Sequence, residues 1–196
     1  MAVTATVTRI KDYKNGALHY DWRTSGVFLA GYGYADANWV SVIEFTTTST
    51  ARSITLNITN DDVRGASYTA NYKILDAEDD SYINADYTKA HDGTITMNKY
   101  DFTPSTFELT LSRPLGAGTH YMYLWTSMPT STNCYFRFCH NGNGKVKISY
   151  EEIKGCVYIH NGTEWLGYQP YIYNGTDWIM HMPYVHNGTD WVLCGG

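Results

Sequence analysis

Three observations predict an all-β protein, a jelly-roll β-sandwich followed by a short array of three β-hairpin repeats. The first is period-two alternation of apolar and polar residues over most of the first 150 positions, as expected of strands with one buried and one wet face. The second is composition. With 18 Tyr, 6 Trp and 17 Gly among 196 residues, beside abundant Thr and Asn, the chain favours strands joined by tight turns over helices. The third is a 13-residue unit, headed by Tyr-x-x-Asn-Gly-Thr-x-Trp, that occurs three times in register from Tyr158, Tyr171 and Tyr184. The character of the chain changes after Glu151-Glu152, so residues 1–152 are expected to form the sandwich and residues 156–196 the repeats.

In chain order, the clearest strands carry strict alternation. Ile54, Leu56 and Ile58 alternate with Thr55, Asn57 and Thr59; Phe107, Leu109 and Leu111 with Glu108, Thr110 and Ser112; Val146, Ile148 and Tyr150 with Lys145, Lys147 and Ser149. Weaker strand patterns cover residues 3–10, 26–34, 38–46, 67–75, 93–98, 120–126 and 134–138. Turn signals separate them, among them Lys14-Asn15-Gly16, Asp76-Ala77-Glu78-Asp79-Asp80, His91-Asp92-Gly93 and Asn141-Gly142-Asn143-Gly144. About ten short strands with little helical periodicity suit a jelly roll. Residues 82–89 fit either a helical turn or a long loop.

Each C-terminal unit reads as a β-hairpin, because Asn-Gly supplies the two positive-φ positions of a type I′ turn. That turn places Tyr171 opposite Trp178. A three-residue Asn-Gly-Thr loop places Ile172 opposite Trp178 instead. Pro170 and Pro183 close the first two units, where they interrupt the ladder. A lone hairpin is marginal in water, so the three must stack on each other, on the sandwich or on other chains.

Fourteen Lys and Arg against 19 Asp and Glu give a net charge of −5, which excludes the basic footprint of a nucleic-acid binder. No apolar run is long enough for a membrane-spanning helix, and the first ten residues lack the pattern of a signal peptide. The chain is therefore expected to be made as a soluble protein.

Chemistry-bearing patterns are sparse. No Gly-x-Ser-x-Gly motif occurs, and the acidic residues cluster in turns rather than as a carboxylate pair tuned for glycoside hydrolysis. Glu44 and Glu108 are the strand carboxylates to watch, and a wet-face position accounts for both. The spacing of Cys134 and Cys139 within one strand sets their sulfurs on opposite faces, which disfavours a zinc site with His140 and Cys156. Cys156 and Cys194 bracket the repeats and could clasp them as a disulfide. Asp76, Glu78, Asp79 and Asp80 offer loop oxygens for calcium, but their spacing is not that of an EF-hand loop, and a solvated acidic turn explains them. No catalytic residue and no other cofactor is expected. Asn57-Ile58-Thr59 and the Asn-Gly-Thr triplets are formal glycosylation sequons, explained in the repeats by turn chemistry.

The candidate binding residues are aromatic. Trp165, Trp178 and Trp191, with Tyr158, Tyr171 and Tyr184, repeat at fixed spacing and offer flat, rigid area for sugar faces or protein partners. Their commoner fate would be to stack hairpin on hairpin and be buried. Trp22, near Asp21 and Arg23, and Trp39, near Asp36 and Asn38, could sit at a loop rim as a sugar platform or plug the end of the sandwich.

The repeats at 158–196 resemble the tandem Tyr-Ile-Tyr-Asn-Gly-x-x-Trp units that end tail-associated, minor structural proteins of bacteriophages and prophages of gut Firmicutes. The region carrying Tyr72-Lys73-Ile74-Leu75, Asp80-Ser81-Tyr82-Ile83-Asn84 and Gly118-Thr119-His120-Tyr121-Met122-Tyr123-Leu124-Trp125 resembles their jelly-roll, carbohydrate-binding-module-like part. The resemblance implies a non-enzymatic virion-surface or adhesion role, with cell-surface glycan or neighbouring virion proteins as partners and a homo-oligomer as one arrangement. A virion component released by lysis would need no secretion signal. The rival expectations are a carbohydrate-binding module of a secreted bacterial protein, with the repeats as its anchor, and a polysaccharide-degrading enzyme.

Overall fold

The computed structural model of the chain describes residues 2–21, 27–30, 38–64, 67–97, 104–127, 135–138, 146–152, 157–160, 162–163, 165–168, 170–181, 184–186 and 189–193. Trp22, Cys134, Cys139, His140, Cys156 and Cys194 lie outside these residues. The chain divides into two units, Met1–Glu151 and Glu152–Gly196.

The first unit is all-β and jelly-roll-like. Its strands are β1 (Ala2–Lys14), β2 (Ala17–Asp21), β3 (Val27–Ala30), β4 (Trp39–Thr47), β5 (Ala51–Arg64), β6 (Tyr68–Leu75), β7 (Gly93–Met97), β8 (Pro104–Leu109), β9 (Gly118–Thr126), β10 (Tyr135–Phe138) and β11 (Lys147–Glu152). Pairing runs β3-β10-β5-β11-β1-β4-β9-β6-β7, with β2 added to β1 and β8 to β5. Long β1 joins two parts of this path. Ala2–Ala5 pair with β11, and Thr6–Lys14 pair with β4. A register irregularity between Val7 and Arg9 sits beside that change of partner, as bulges do where a strand bends.

Alternation explains the main core. Ile10, Ile43, Phe45, Met122 and Leu124 from one layer meet Ile54, Leu56, Leu109, Ile148 and Tyr150 from the other. Burying such side chains stabilises the fold by roughly 1.5–3 kcal/mol each. The alternate positions were expected to be wet, and on β4 and β9 they are not. Val40, Val42, Tyr123 and Trp125 form a second buried cluster with Tyr82 and Ala85. The cover is the 76–92 segment, which contains one 3₁₀ turn, Asp80–Tyr82. It is fastened by the Trp125 indole N–H donating to the Asp86 carbonyl (2.7 Å), the Asp79 amide donating to the Tyr123 hydroxyl (2.7 Å) and a Lys11–Glu78 ion pair (2.7 Å). Burial pushes the Tyr123 phenol up to about 12, although the Asp79 amide works against the rise.

The β2 strand has no alternation legible in the sequence and is exposed throughout. It forms because Asn15 (φ 50°) and Gly16 (φ 76°) make the tight turn that folds Ala17 back opposite Lys14, the geometry of a type I′ hairpin.

The second unit contains three separate two-stranded sheets: β12 (Val157–His160) with β13 (Trp165–Tyr168), β14 (Tyr171–Tyr173) with β15 (Trp178–Met180), and β16 (Tyr184–His186) with β17 (Trp191–Leu193). One register serves all three, with His160, Tyr173 and His186 directly opposite Trp165, Trp178 and Trp191. Both registers expected from the sequence are thus corrected, by two residues and by one.

The middle hairpin gives the reason. Gly175 takes φ +101°, and the Asn174 side-chain oxygen accepts from the amides of both Thr176 and Asp177 (2.8 Å each). The Asn174 amide in turn donates to the Asp177 carbonyl (3.0 Å). Gly-Thr therefore forms the apex and Asn-Asp closes it, because the Asn side chain takes up amides that a type I′ turn would leave to the backbone. The ladder continues past the strand ends, where the His181 amide donates to the Pro170 carbonyl (2.9 Å).

Candidate functional site

The register decides which side chains share a face. Directly opposed residues and their i+2 neighbours lie on one side of a hairpin. Tyr171, Tyr173 and Trp178 therefore share one face of the middle hairpin, and Ile172 and Ile179 share the other. The Tyr173 and Trp178 rings stand 5.4 Å apart at 45°, within the range of favourable aromatic pairs. The expectation that large rings are buried fails here. Trp178 is 69% exposed, Tyr173 52% and Ile172 53%, and Tyr171, Ile179 and Tyr184 are exposed as well. For Tyr158, Trp165 and Trp191 the structure describes the backbone register, which repeats that of the middle unit.

Trp39, by contrast, is not a rim platform. It opens β4 and is 4% exposed. His19 meets its ring edge-on at 5.0 Å, Tyr20 lies parallel to it at 6.4 Å, and the Lys14 ammonium stands 5.7 Å from its centre. The exposed members of this group are His19, Tyr20 and neighbouring Leu18 on β2. Alternation did not mark them, because β2 exists through its turn. Beside Trp39 in the same strand, the Ser41 hydroxyl donates to the buried Asp12 carboxylate.

The four acidic residues of the 76–80 turn serve different partners. Asp76 accepts from Arg113 and His120, Glu78 pairs with Lys11, Asp79 caps the 3₁₀ turn through the Ser81 amide, and Asp80 is exposed. Among the described residues no group of three His, Cys, Asp or Glu could hold a metal ion. The strand carboxylates are also separate. Glu44 on β4 accepts from Thr8 (2.7 Å), and Glu108 on β8 accepts from Thr55 (3.0 and 3.1 Å).

One hydrogen-bonded chain imitates a nucleophile–base–acid arrangement. Thr47 Oγ1 lies 3.1 Å from His120 Nε2, and His120 Nδ1 lies 2.9 Å from Asp76 Oδ1. Thr47 and His120 are buried, and both Thr47 Oγ1 (3.0 Å) and His120 Nε2 (2.9 Å) lie within hydrogen-bond distance of the Gly116 carbonyl oxygen. With both groups closed to solvent, a substrate has no path to the hydroxyl, so the chain acts as a lock between β4, β9 and the flanking turns.

No protein-family model matches the chain, and no curated protein matches it. Among solved structures, it is similar to a family two carbohydrate esterase from Clostridium thermocellum in complex with cellohexaose, with 16% identity over 67% of this chain and 30% of that one, at TM-score 0.32. It is also similar to the catalytic unit of a GH87 alpha-1,3-glucanase from Streptomyces thermodiastaticus strain HF3-3 (13%, 82% of this chain, 29% of that chain, TM-score 0.33). The Agl-KA catalytic domain gives 7%, 82%, 32% and 0.35 in the same order. The chain spans about a third of the length of these proteins, and likeness at this level carries no information on substrate or activity.

Among the described residues, two places therefore gather accessible aromatic surface: the hairpin face around Trp178 and the β2 ledge of His19 and Tyr20 over Trp39. No helix among the described residues is long and apolar enough to cross a membrane.

Proposed function

We propose that this chain is a non-enzymatic adhesion protein of the phage-tail type, acting at the virion surface and binding cell-surface glycan through its C-terminal hairpins. The observation that carries the reading is the exposed Tyr171–Tyr173–Trp178 face, set on a rigid register that the chain repeats three times. Such rings contribute contact area at low entropic cost and match the apolar faces of pyranose rings. Three equal sites in tandem convert weak single contacts into avidity. The resemblance of the repeats to those of phage tail proteins supports the virion setting. A neighbouring virion protein is the other partner such a face would serve.

The test is a glycan array of bacterial surface polysaccharides probed with the full chain and with Trp178→Ala. Binding by the full chain, weakened about tenfold in the variant (roughly 1.4 kcal/mol) with an unchanged melting temperature, is the expected result. A blank array refutes the reading. A variant that instead loses thermal stability or molecular mass in light scattering assigns the ring to contacts between hairpins or chains.

A further inference from the structure

The placement of charge on the hairpins sets the class of glycan they take, an inference that rests on the glycan reading above. A ligand laid on the ring side of the middle hairpin meets Tyr171, Tyr173 and Trp178, all exposed on one face. The polar atoms these rings offer are phenol hydroxyls and an indole N–H, which hydrogen-bond as uncharged groups. Asp177 precedes Trp178 by one residue, and successive side chains of a strand point to opposite faces, so its carboxylate falls on the side of Ile172 and Ile179. No cation takes its place, because from Gly155 to Gly196 the chain has no Lys or Arg. The other two hairpins share the register of the middle one.

We propose that the hairpin array recognises an uncharged polysaccharide and rejects uronate and phosphate polymers. An anionic sugar on this face brings its charge against the negative faces of the rings. It also finds no guanidinium or ammonium in the segment to receive it, so it loses hydration without compensation. A protonated amino sugar gains only the weak cation–π attraction of an exposed ring, with no carboxylate on the same side to hold a strongly hydrated ammonium. A neutral pyranose meets neither cost. Its C–H groups lie on the π faces while its hydroxyls stay in water, and no counter-ion is needed. Discrimination against charged polymers thus comes from what the face withholds, and three units of one register suit a polymer that presents the same neutral face again and again.

The basic side chains the segment does contain are His160, His181 and His186, so the glycan array is probed at about pH 8, above the ordinary range of imidazole titration. The ligand of interest is the strongest one whose binding Trp178→Ala weakens. It is expected to be uncharged, and to bind with an affinity that changes less than about twofold between roughly 50 and 500 mM salt. Oxidising its primary hydroxyls to carboxylates should weaken binding about tenfold or more. A strongest ligand bearing uronate, phosphate or free amine, an affinity that falls with salt, or an oxidised polymer that binds as well as its parent overturns the charge inference and leaves the glycan reading standing. A blank array, or binding indifferent to Trp178→Ala, overturns both.

Discussion

Gly93 shows how little space some single positions leave. It opens β7 opposite Tyr72, and a Cβ there would lie 2.6 Å from the Tyr72 hydroxyl and 2.9 Å from its ring. The ring cannot swing away, because it is buried and its hydroxyl accepts from the Thr110 amide (2.8 Å). Gly93→Ala should therefore lower stability by about 1–3 kcal/mol, read as an earlier urea midpoint; an unchanged midpoint would show that the pair relaxes freely. Asp76 makes a prediction about pH. Burial works to raise its carboxyl, but the Arg113 hydrogen bond and charge, followed by His120, outweigh it and hold the group below the usual carboxylate range. A depressed carboxylate contributes stability that is complete above its unfolded value, near pH 4, and is lost as pH falls through its lower folded value. Because Asp76 is partly exposed, its contribution is at most about 1 kcal/mol. Asp76→Asn should be less stable than the parent at pH 7, and the gap should close on acidification; a gap independent of pH would remove the electrostatic account.

At the scale of elements, the Asn-Gly turns at 15–16 and 174–175 behave differently for a local reason. Asn15-Gly16 uses both residues at positive φ, whereas Asn174 keeps its side chain for two amides and leaves the apex to Gly175 and Thr176. Asn174→Ala should cost the middle hairpin about 1 kcal/mol and speed amide exchange at Thr176 and Asp177; exchange no faster than in the parent would mean that Gly175 alone holds the turn. Alternation made the strands of the main core legible, since Ile54, Leu56, Leu109 and Ile148 are where period two puts them. It could not reveal β2, which contains Leu18, His19 and Tyr20 without a buried face, nor the second core under the 76–92 segment. An acidic, polar stretch reads as solvated until Tyr82, Ala85 and the Asp86 carbonyl are seen to sit on Val42, Tyr123 and Trp125.

For the whole molecule, the described core lies entirely at or before Tyr150, and the described side chains of the repeats are mostly exposed. Stability and the candidate binding face thus belong to different units of the chain. The aromatic residues divide the same way. Trp125 and Trp39 are spent on packing, while Trp178 is left to contact something else. Composition, alternation and the threefold unit determined the all-β class, most of the strands and the identity of the repeated aromatic residues, because each depends on local spacing and propensity. Only the tertiary structure decided which rings are covered, which register the hairpins adopt and where the acidic turn folds. Those outcomes depend on which distant side chain or side-chain oxygen reaches a face or an amide first, and local spacing does not encode that competition.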